Sequence, residues 1–269
     1  MEEYEHLDVS TVGAEDDVLE IALQNDDMNL VDGTMHEELS RVFGVADDAD
    51  VRVVVLTGAG ETFSAGGDVR WMQQWIDDPE VFAEVLREGE ALIEDLVDIE
   101  VPVIARVNGD AIGLGATLAL HADIVVASEA ARIGDPHVRV GLAAGDGGAV
   151  IWPLLTSFNK AKEFLMTGEL LDAAEAEELG LVNHVVPPGE LDAKVDERIE
   201  TLTSLPQPAV RYTKMAANRW LQQGVQSILR ESLALESMSA NSADHEEAVA
   251  AFIEGREPDL PSARSGPEE

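Results

Sequence analysis

Two segments of the chain share one design, in which a β-branched run leads into a glycine-rich loop and then into a helical pattern. The run at residues 51–57 precedes Ala65-Gly-Gly67, and the run at residues 103–107 precedes Gly113-Leu-Gly115. Continuous apolar runs of this length are typical of strands that are buried on both faces. A third run at residues 123–127 continues the alternation of strands with helices, which predicts an α/β domain with largely buried strands.

The pattern changes after Pro206-Gln-Pro208, because apolar residues then recur only at helical spacing up to about residue 255. We therefore expect a core at residues 1–205 and a helical region at residues 206–257, which packs against the core or against another subunit. Residues 258–269 are polar and rich in proline and serine, so we predict a disordered tail there.

The charge of the chain excludes several classes of partner. There are 54 Asp and Glu residues against 17 Lys and Arg, a formal net charge of −37. Binding of nucleic acid or of an anionic membrane needs clustered basic residues, so we expect neither partner. Yet 45% of the residues are hydrophobic, which is enough for a packed core and argues against a disordered acidic chain.

Such an acidic surface is typical of a protein from a salt-accumulating, halophilic cytoplasm, because molar salt screens the repulsion between its charges. An ordinary acidic enzyme is the alternative. The first residues show no basic region followed by an apolar run, so no signal peptide is visible and we expect a cytoplasmic protein. The absence of cysteine excludes disulfides and thiolate metal sites.

The common nucleotide and hydrolase motifs are missing. Gly113-Leu-Gly115 is followed by Leu118 where a dinucleotide fingerprint needs glycine, and no Gly-Lys-Ser/Thr loop is present. Ser64 is not in a nucleophile elbow, since Thr62 stands where that motif needs glycine. The six histidines lack metal-ligand spacing, so we expect no metal.

The two glycine-rich loops suggest a different chemistry. Each follows a buried strand and opens a helix, so the two loops can direct two backbone N–H groups at one point. Such a pair forms an oxyanion hole, which stabilises a carbonyl oxygen as it gains negative charge. Taken singly, either loop is better explained as a tight turn.

Together the two segments resemble those of the enoyl-CoA hydratase/isomerase (crotonase) superfamily. Residues 29–39 are similar to its early Asn-Ala-Leu…Met…Glu-Leu helix, and residues 167–186 resemble its later Thr-Gly…Gly-Leu-Val signature. The resemblance implies a ββα-spiral core and a C-terminal helical trimerisation region, with a homotrimer or a dimer of trimers. It also implies acyl-CoA thioester substrates that react through an enolate, with CoA as part of the substrate and no separate cofactor.

Carried over by position, the resemblance makes the N–H groups of Gly67 and Leu114 the oxyanion donors. Ala65 stands where a backbone carbonyl of the family meets the adenine of CoA. Arg70 is a candidate for a CoA phosphate. Lys214 and Arg256 are further candidates for phosphate contact, from the helical region.

The acid–base residues depart from the family pattern. Hydratases of the family use two glutamates, and here Thr117 and His137 stand at those positions. His137 can act as an acid or base near neutral pH. Asp146, in the loop at residues 144–148, is either a working carboxylate or a cap for the next helix. Asp68 is expected to cap a helix, whereas Asp135 and Glu88 cannot be placed from the sequence.

The sequence therefore predicts an acyl-CoA enzyme of the enoyl-CoA hydratase or double-bond isomerase type, with catalytic Gly67, Leu114, His137 and Asp146. One alternative is a C–C bond hydrolase of a 1,3-diketone that uses His137 and Asp146, since the resemblance extends to the β-diketone hydrolases of the family. Another is a catalytically silent acyl-CoA-binding subunit, because both glutamates are missing.

Overall fold

A six-stranded sheet forms the centre of the fold. A computed structural model describes residues 3–13, 17–48 and 50–264. The strands of this sheet lie in the order β1-β2-β3-β4-β6-β9, with the following bounds: β1 Leu7–Val12, β2 Val18–Leu23, β3 Val53–Gly58, β4 Val103–Val107, β6 Ile124–Ser128 and β9 His184–Val186. Only β1 and β2 pair antiparallel within this sheet, and the remaining neighbours are parallel.

A second sheet of three short strands lies beside the glycine-rich loops. It has the order β5-β7-β8, with the following bounds: β5 Ala111–Ile112, β7 Arg132–Gly134 and β8 Leu171–Asp172. β5 follows β4 after three residues, and Ser64 forms an isolated parallel bridge with Ala111. The second sheet therefore holds the two loops against each other.

The α-helices of the described residues surround both sheets, with the following bounds: α1 Gly33–Val42, α2 Val45–Asp48, α3 Val69–Asp77, α4 Pro79–Asp98, α5 Leu114–Leu120, α6 Gly148–Leu155, α7 Phe158–Thr167, α8 Ala173–Glu178, α9 Leu191–Thr203, α10 Gln207–Gly224, α11 Arg230–Ala240, α12 Ala243–Glu254 and α13 Pro261–Arg264. Short 3₁₀ turns occupy His137–Val140 and Pro188–Glu190. A π-helical turn, Val225–Leu229, joins α10 to α11. Within the described ranges, no helix combines the length and hydropathy that crossing a bilayer requires.

The strands lie where the β-branched runs predict them. All six residues of β3 are buried, and β4 coincides with the predicted run at residues 103–107. One face of the sheet packs against α9 through Leu191 and Val195, while the other contributes to the main core. The predicted α/β core and the C-terminal helices are confirmed.

The C-terminal helices pack against the core of the same chain. The side chain of Asn218 donates a hydrogen bond to the Val97 carbonyl, and that of Gln222 donates to Asp98. Val249 of α12 is buried with Trp71 and Trp75 of α3. The helical region thus covers α3 and α4, which carry part of the candidate site.

The described part of the predicted disordered tail, residues 258–264, includes α13. The Ser262 N–H donates a 2.9 Å hydrogen bond to the Asp244 side chain. This arrangement differs from the predicted disorder, because the segment is tied back to α12. Residues 265–269 lie outside the described residues.

Candidate active site

The two glycine-rich loops approach each other so closely that only glycine fits at their contact. Gly66 has a φ of +85°, and a Cβ there would lie 2.6 Å from the Ile112 carbonyl oxygen. The Gly66 N–H is held by the Ser64 hydroxyl, which itself donates to the Asn29 carbonyl. The loop before α3 is therefore fixed against the loop before α5.

The N–H groups of Gly67 and Leu114 have no hydrogen-bond acceptor in the described part of the chain. Leu114 is the first residue of α5, so its N–H has no intrahelical partner. Both residues line one space of about 50 Å³, which we call the central cavity and whose polar lining includes His137, Asp146 and Glu236. The structure thus brings the two predicted oxyanion donors to one cavity.

His137 lies between two carboxylates. Its Nδ1 contacts Asp135 Oδ1, and its Nε2 lies 3.3 Å from Asp146 Oδ2. His137 starts the 3₁₀ turn that follows β7, and Asp146 lies in the loop before α6. The predicted pair is therefore in contact, and Asp135, which the sequence could not place, is the second partner of the imidazole.

His137 and Asp146 each shift the pKa of the other. Burial lowers the pKa of His137, but Asp146 and Asp135 outweigh it and raise that pKa well above 6.5. Burial raises the pKa of Asp146, but the neighbouring His137 outweighs it and holds that pKa below 3.8. At neutral pH the pair is an imidazolium beside a carboxylate, that is, one proton donor and one acceptor.

Asp146 does not cap α6. The N-cap of that helix is Gly147, with a φ of +118°, and no side chain of the described residues caps its N-terminus. The second oxygen of Asp146 instead accepts a 3.4 Å hydrogen bond from Thr117 Oγ1. Asp68 caps α3 as expected, because its side chain accepts from the Arg70 N–H.

Glu236 of α11 lines the central cavity and was not predicted from the sequence. Burial, with the nearby Asp146 carboxylate, raises the pKa of Glu236 to about 8, so this carboxyl is neutral at pH 7. Val225, Leu229 and Leu233 form a buried stripe on the same helical run. A carboxylate three residues beyond this stripe is the signal that would have placed Glu236 inside.

Two further buried histidines lie near the pair. His36 lines the central cavity, and its Nδ1 lies 2.7 Å from Glu88 Oε2. His121 Nδ1 lies 2.7 Å from the Thr117 carbonyl oxygen, and burial lowers the pKa of His121 to about 4. His121 is therefore neutral at pH 7, with its proton on Nδ1 because a carbonyl can only accept.

A second space of about 110 Å³, which we call the entrance, lies next to the central cavity and shares Gly67, Met72 and His137 with it. Ala65 lines the entrance, and its carbonyl has no donor among the described residues. Arg70 is exposed and lines a separate surface cavity beside α3. Ala65 is thus suitably placed for the predicted CoA contact.

The geometry argues against the phosphate contact predicted for Lys214. Its side chain is buried, and its ammonium lies 2.8 Å from the Val101 carbonyl and 2.7 Å from Asp123 Oδ2. Arg256 is exposed, but Glu247 and Glu254 already pair with its guanidinium. The sequence could not predict the contacts of Lys214, because Asp123 and Val101 lie about 90 and 110 residues before it in the chain.

Asp135, His137 and Asp146 offer possible ligand atoms within 4.8 Å of one another. A metal ligand must be a neutral imidazole, whereas this imidazole lies between two carboxylates that favour its protonation. The arrangement suits proton transfer better than metal binding.

Comparison with known proteins gives matches over most of the chain. The family model "Enoyl-CoA hydratase/isomerase" matches residues 13–262. The short-chain-enoyl-CoA hydratase of Clostridium acetobutylicum is 35% identical over 85% of this chain and 88% of its own length.

Solved structures of similar proteins cover the chain equally well. The crystal structure of an enoyl-CoA hydratase/isomerase from Mycobacterium paratuberculosis has a TM-score of 0.84 and 38% identity, covering 91% of this chain and 97% of its own. A β-diketone hydrolase from the cyanobacterium Anabaena, bound to (S)-3-oxocyclohexyl acetic acid, has a TM-score of 0.82 and 34% identity, covering 88% and 95%.

Proposed function

The chain belongs to the enoyl-CoA hydratase/isomerase family, and on that premise we propose that it acts on acyl-CoA thioesters as an enoyl-CoA hydratase or double-bond isomerase. The observation that carries the proposal is the pair of N–H groups, of Gly67 and Leu114, that have no acceptor among the described residues and lie in the cavity that also holds the His137–Asp146 pair. The thioester oxygen would accept from both amides, and the acyl group would enter the central cavity from the entrance.

The His137–Asp146 pair supplies the two functions that the missing glutamates would perform. In hydration, Asp146 takes a proton from water as the water oxygen bonds to Cβ. The π electrons move to the thioester oxygen, where the two amides stabilise the enolate. His137 then donates a proton to Cα, and the proton on Asp146 passes to His137 across the 3.3 Å contact, which restores the pair. In isomerisation, the same pair would move one proton between two carbons.

Hydrolysis of a 1,3-diketone is the second candidate, and the polar groups of the central cavity favour it. His36 and neutral Glu236 line the same space, and both can contact a second carbonyl. Asp146 would take a proton from water as the water attacks one carbonyl. The C–C bond then breaks, its electron pair leaves in the enolate of the other carbonyl, and His137 protonates the carbon. The similarity to the Anabaena β-diketone hydrolase supports this candidate.

The test is turnover of crotonyl-CoA and of a bicyclic 1,3-diketone by purified protein in molar KCl. We expect crotonyl-CoA hydration, with kcat falling by roughly 10²-fold or more in His137→Gln and in Asp146→Asn. Asp68→Asn is the matched control, because asparagine also caps a helix and position 68 does not line the central cavity. Cleavage of the diketone without hydration of crotonyl-CoA would favour the second candidate, and CoA binding without any turnover would favour a silent subunit.

The predicted homotrimer, or dimer of trimers, remains part of this proposal. Several large apolar side chains of the C-terminal helices are exposed, including Trp220, Met238 and Phe252. Burial of such side chains between copies of the chain would be favourable. The mass in solution, measured by light scattering in molar KCl, tests this expectation.

A further inference from the structure

A partition of apolar side chains separates the central cavity from a larger groove. The groove has a volume of about 290 Å³, against about 50 Å³ for the central cavity. Trp75 of α3 and Leu86 of α4 line both spaces, whereas Ile76 and Phe82 line the groove alone. An acyl group that enters at Gly67 therefore meets Trp75 and Leu86 before it can reach the larger volume.

Ring contacts and the connection between α3 and α4 hold Trp75 in place. Trp75 packs edge-to-face on Trp71, with ring centroids 4.8 Å apart, and its centroid lies 5.0 Å from that of Phe82. Asp78 links the two helices, since its N–H donates to the Gln74 carbonyl at the end of α3 and its side chain accepts from the Glu80 N–H at the start of α4. Because the rings contact one another and the connection is capped from both sides, Trp75 has little freedom to swing aside.

Trp75 can be replaced without breaking a hydrogen bond of its indole N–H to any described residue. This Nε1 atom is buried and has no hydrogen-bond acceptor among the described residues. Replacement of Trp75 by a smaller residue therefore leaves no buried acceptor without a donor. The change removes ring volume between two spaces that already exist, and these would become one.

We propose that Trp75, with Leu86, limits the length of the acyl group, so that the enzyme takes short, compact acyl thioesters and the groove beyond stays unused. This inference rests on the proposed acyl-CoA function. Two residues outside the acid–base group would then determine which acyl lengths bind. Opening the partition should allow longer acyl groups to bind.

The experiment measures binding and turnover separately. The dissociation constants of the unreactive thioesters butyryl-CoA and decanoyl-CoA are measured by calorimetry in molar KCl, for the wild type and for three variants. Trp75→Ala opens the partition, and Leu86→Ala opens it less and carries a smaller risk to folding, because Leu86 is only half-buried. Ile76→Ala is the matched control, since it enlarges the groove but leaves the partition intact. The ratio of kcat/KM for trans-2-decenoyl-CoA to that for crotonyl-CoA gives the second readout.

We expect the wild type to bind butyryl-CoA roughly tenfold or more tightly than decanoyl-CoA. Trp75→Ala should reverse this preference, Leu86→Ala should reduce it, and Ile76→Ala should leave it as in the wild type. Equal binding of both thioesters by the wild type, or an unchanged preference in a folded Leu86→Ala or Trp75→Ala variant, would overturn the inference. A butyryl-CoA preference without turnover of crotonyl-CoA would instead support the partition and contradict the proposed reaction. Failure of the wild type to bind either thioester would overturn both.

Discussion

Replacement of Glu236 by glutamine should stabilise the protein, and the gain should depend on pH. Glu236 is buried on α11 among Asp135, His137 and Asp146, and its pKa is raised from 4.5 to about 8. A carboxyl with a raised pKa holds its proton in the folded state after the unfolded chain has released it. The contribution of Glu236 to the free energy of unfolding therefore falls as the pH rises from 4.5 to about 8.

The size of this effect follows from the shift. One pKa unit corresponds to about 1.4 kcal/mol, so burial of the Glu236 carboxyl destabilises the fold by roughly 3 kcal/mol at pH 7 and roughly 5 kcal/mol above pH 8. Glutamine has nearly the same shape as the neutral carboxyl and cannot ionise. The difference in unfolding free energy between Glu236→Gln and the wild type should be constant below pH 4.5, and should then increase by about 1.4 kcal/mol for each pH unit up to about pH 8.

Urea unfolding at a series of pH values between 4 and 9, at one fixed KCl concentration, measures this difference. Glu231→Gln is the matched control, because Glu231 is exposed on the same helix and its replacement removes the same charge. A difference between Glu236→Gln and the wild type that does not change from pH 4.5 to pH 8 would refute the reasoning. In that case the carboxyl would be ionised in the fold, and its assignment as a neutral group in the central cavity would be wrong.

Three further predictions concern the amide, the packing and the surface charge. Gly67→Pro, which removes an N–H, should lower kcat by roughly 10²-fold or more. Gly67→Ala keeps the N–H and should retain most of the activity. Equal activity of the two variants would contradict the assignment of the Gly67 N–H as an oxyanion donor. Gly148→Ala places a Cβ 2.1 Å from Asp135 Oδ2, so the free energy of unfolding, measured in urea, should fall by roughly 1–3 kcal/mol. Gly189→Ala is the control and should leave the free energy of unfolding unchanged, because a Cβ at that position would meet open space. Raising the KCl concentration from ~0.1 M to ~2 M should raise the Tm by roughly 5 °C or more, because salt screens the repulsion that comes with a net charge of −37. A Tm that does not change with KCl concentration would contradict this explanation.

Much of the fold was predictable because the local signals agree with the tertiary structure. The runs at residues 51–57, 103–107 and 123–127 are strands of one sheet within one or two residues at each end. They are buried on both faces, and a strand in that position needs continuous apolar residues rather than alternation. The change to helices after Pro206 was predictable for a similar reason, since α10 begins at Gln207.

The candidate site was only partly predictable, because side chains from distant parts of the chain meet there. The loops that carry Gly67 and Leu114 are readable as local patterns, and His137 and Asp146 were found by position in a family resemblance. Glu236 comes from α11, about 90 residues beyond Asp146; the buried stripe on that helical run indicates that Glu236 faces the interior, but not that it reaches this cavity. The same difficulty explains Lys214, which looked like a free cation but is paired with Asp123.

The π-helical turn at Val225–Leu229 sets the rotational phase of everything that follows it on that helix. In an α-helix each residue advances by about 100° around the axis, and a π turn accommodates one additional residue. If the same five residues were wound as a regular α-helix, α11 would be rotated by about 100° relative to α10. Glu236 would then leave the central cavity, while α10 kept its hydrogen bonds to Val97 and Asp98. The turn therefore works as an angular offset, through which the winding of a five-residue segment decides whether the Glu236 carboxyl faces the central cavity.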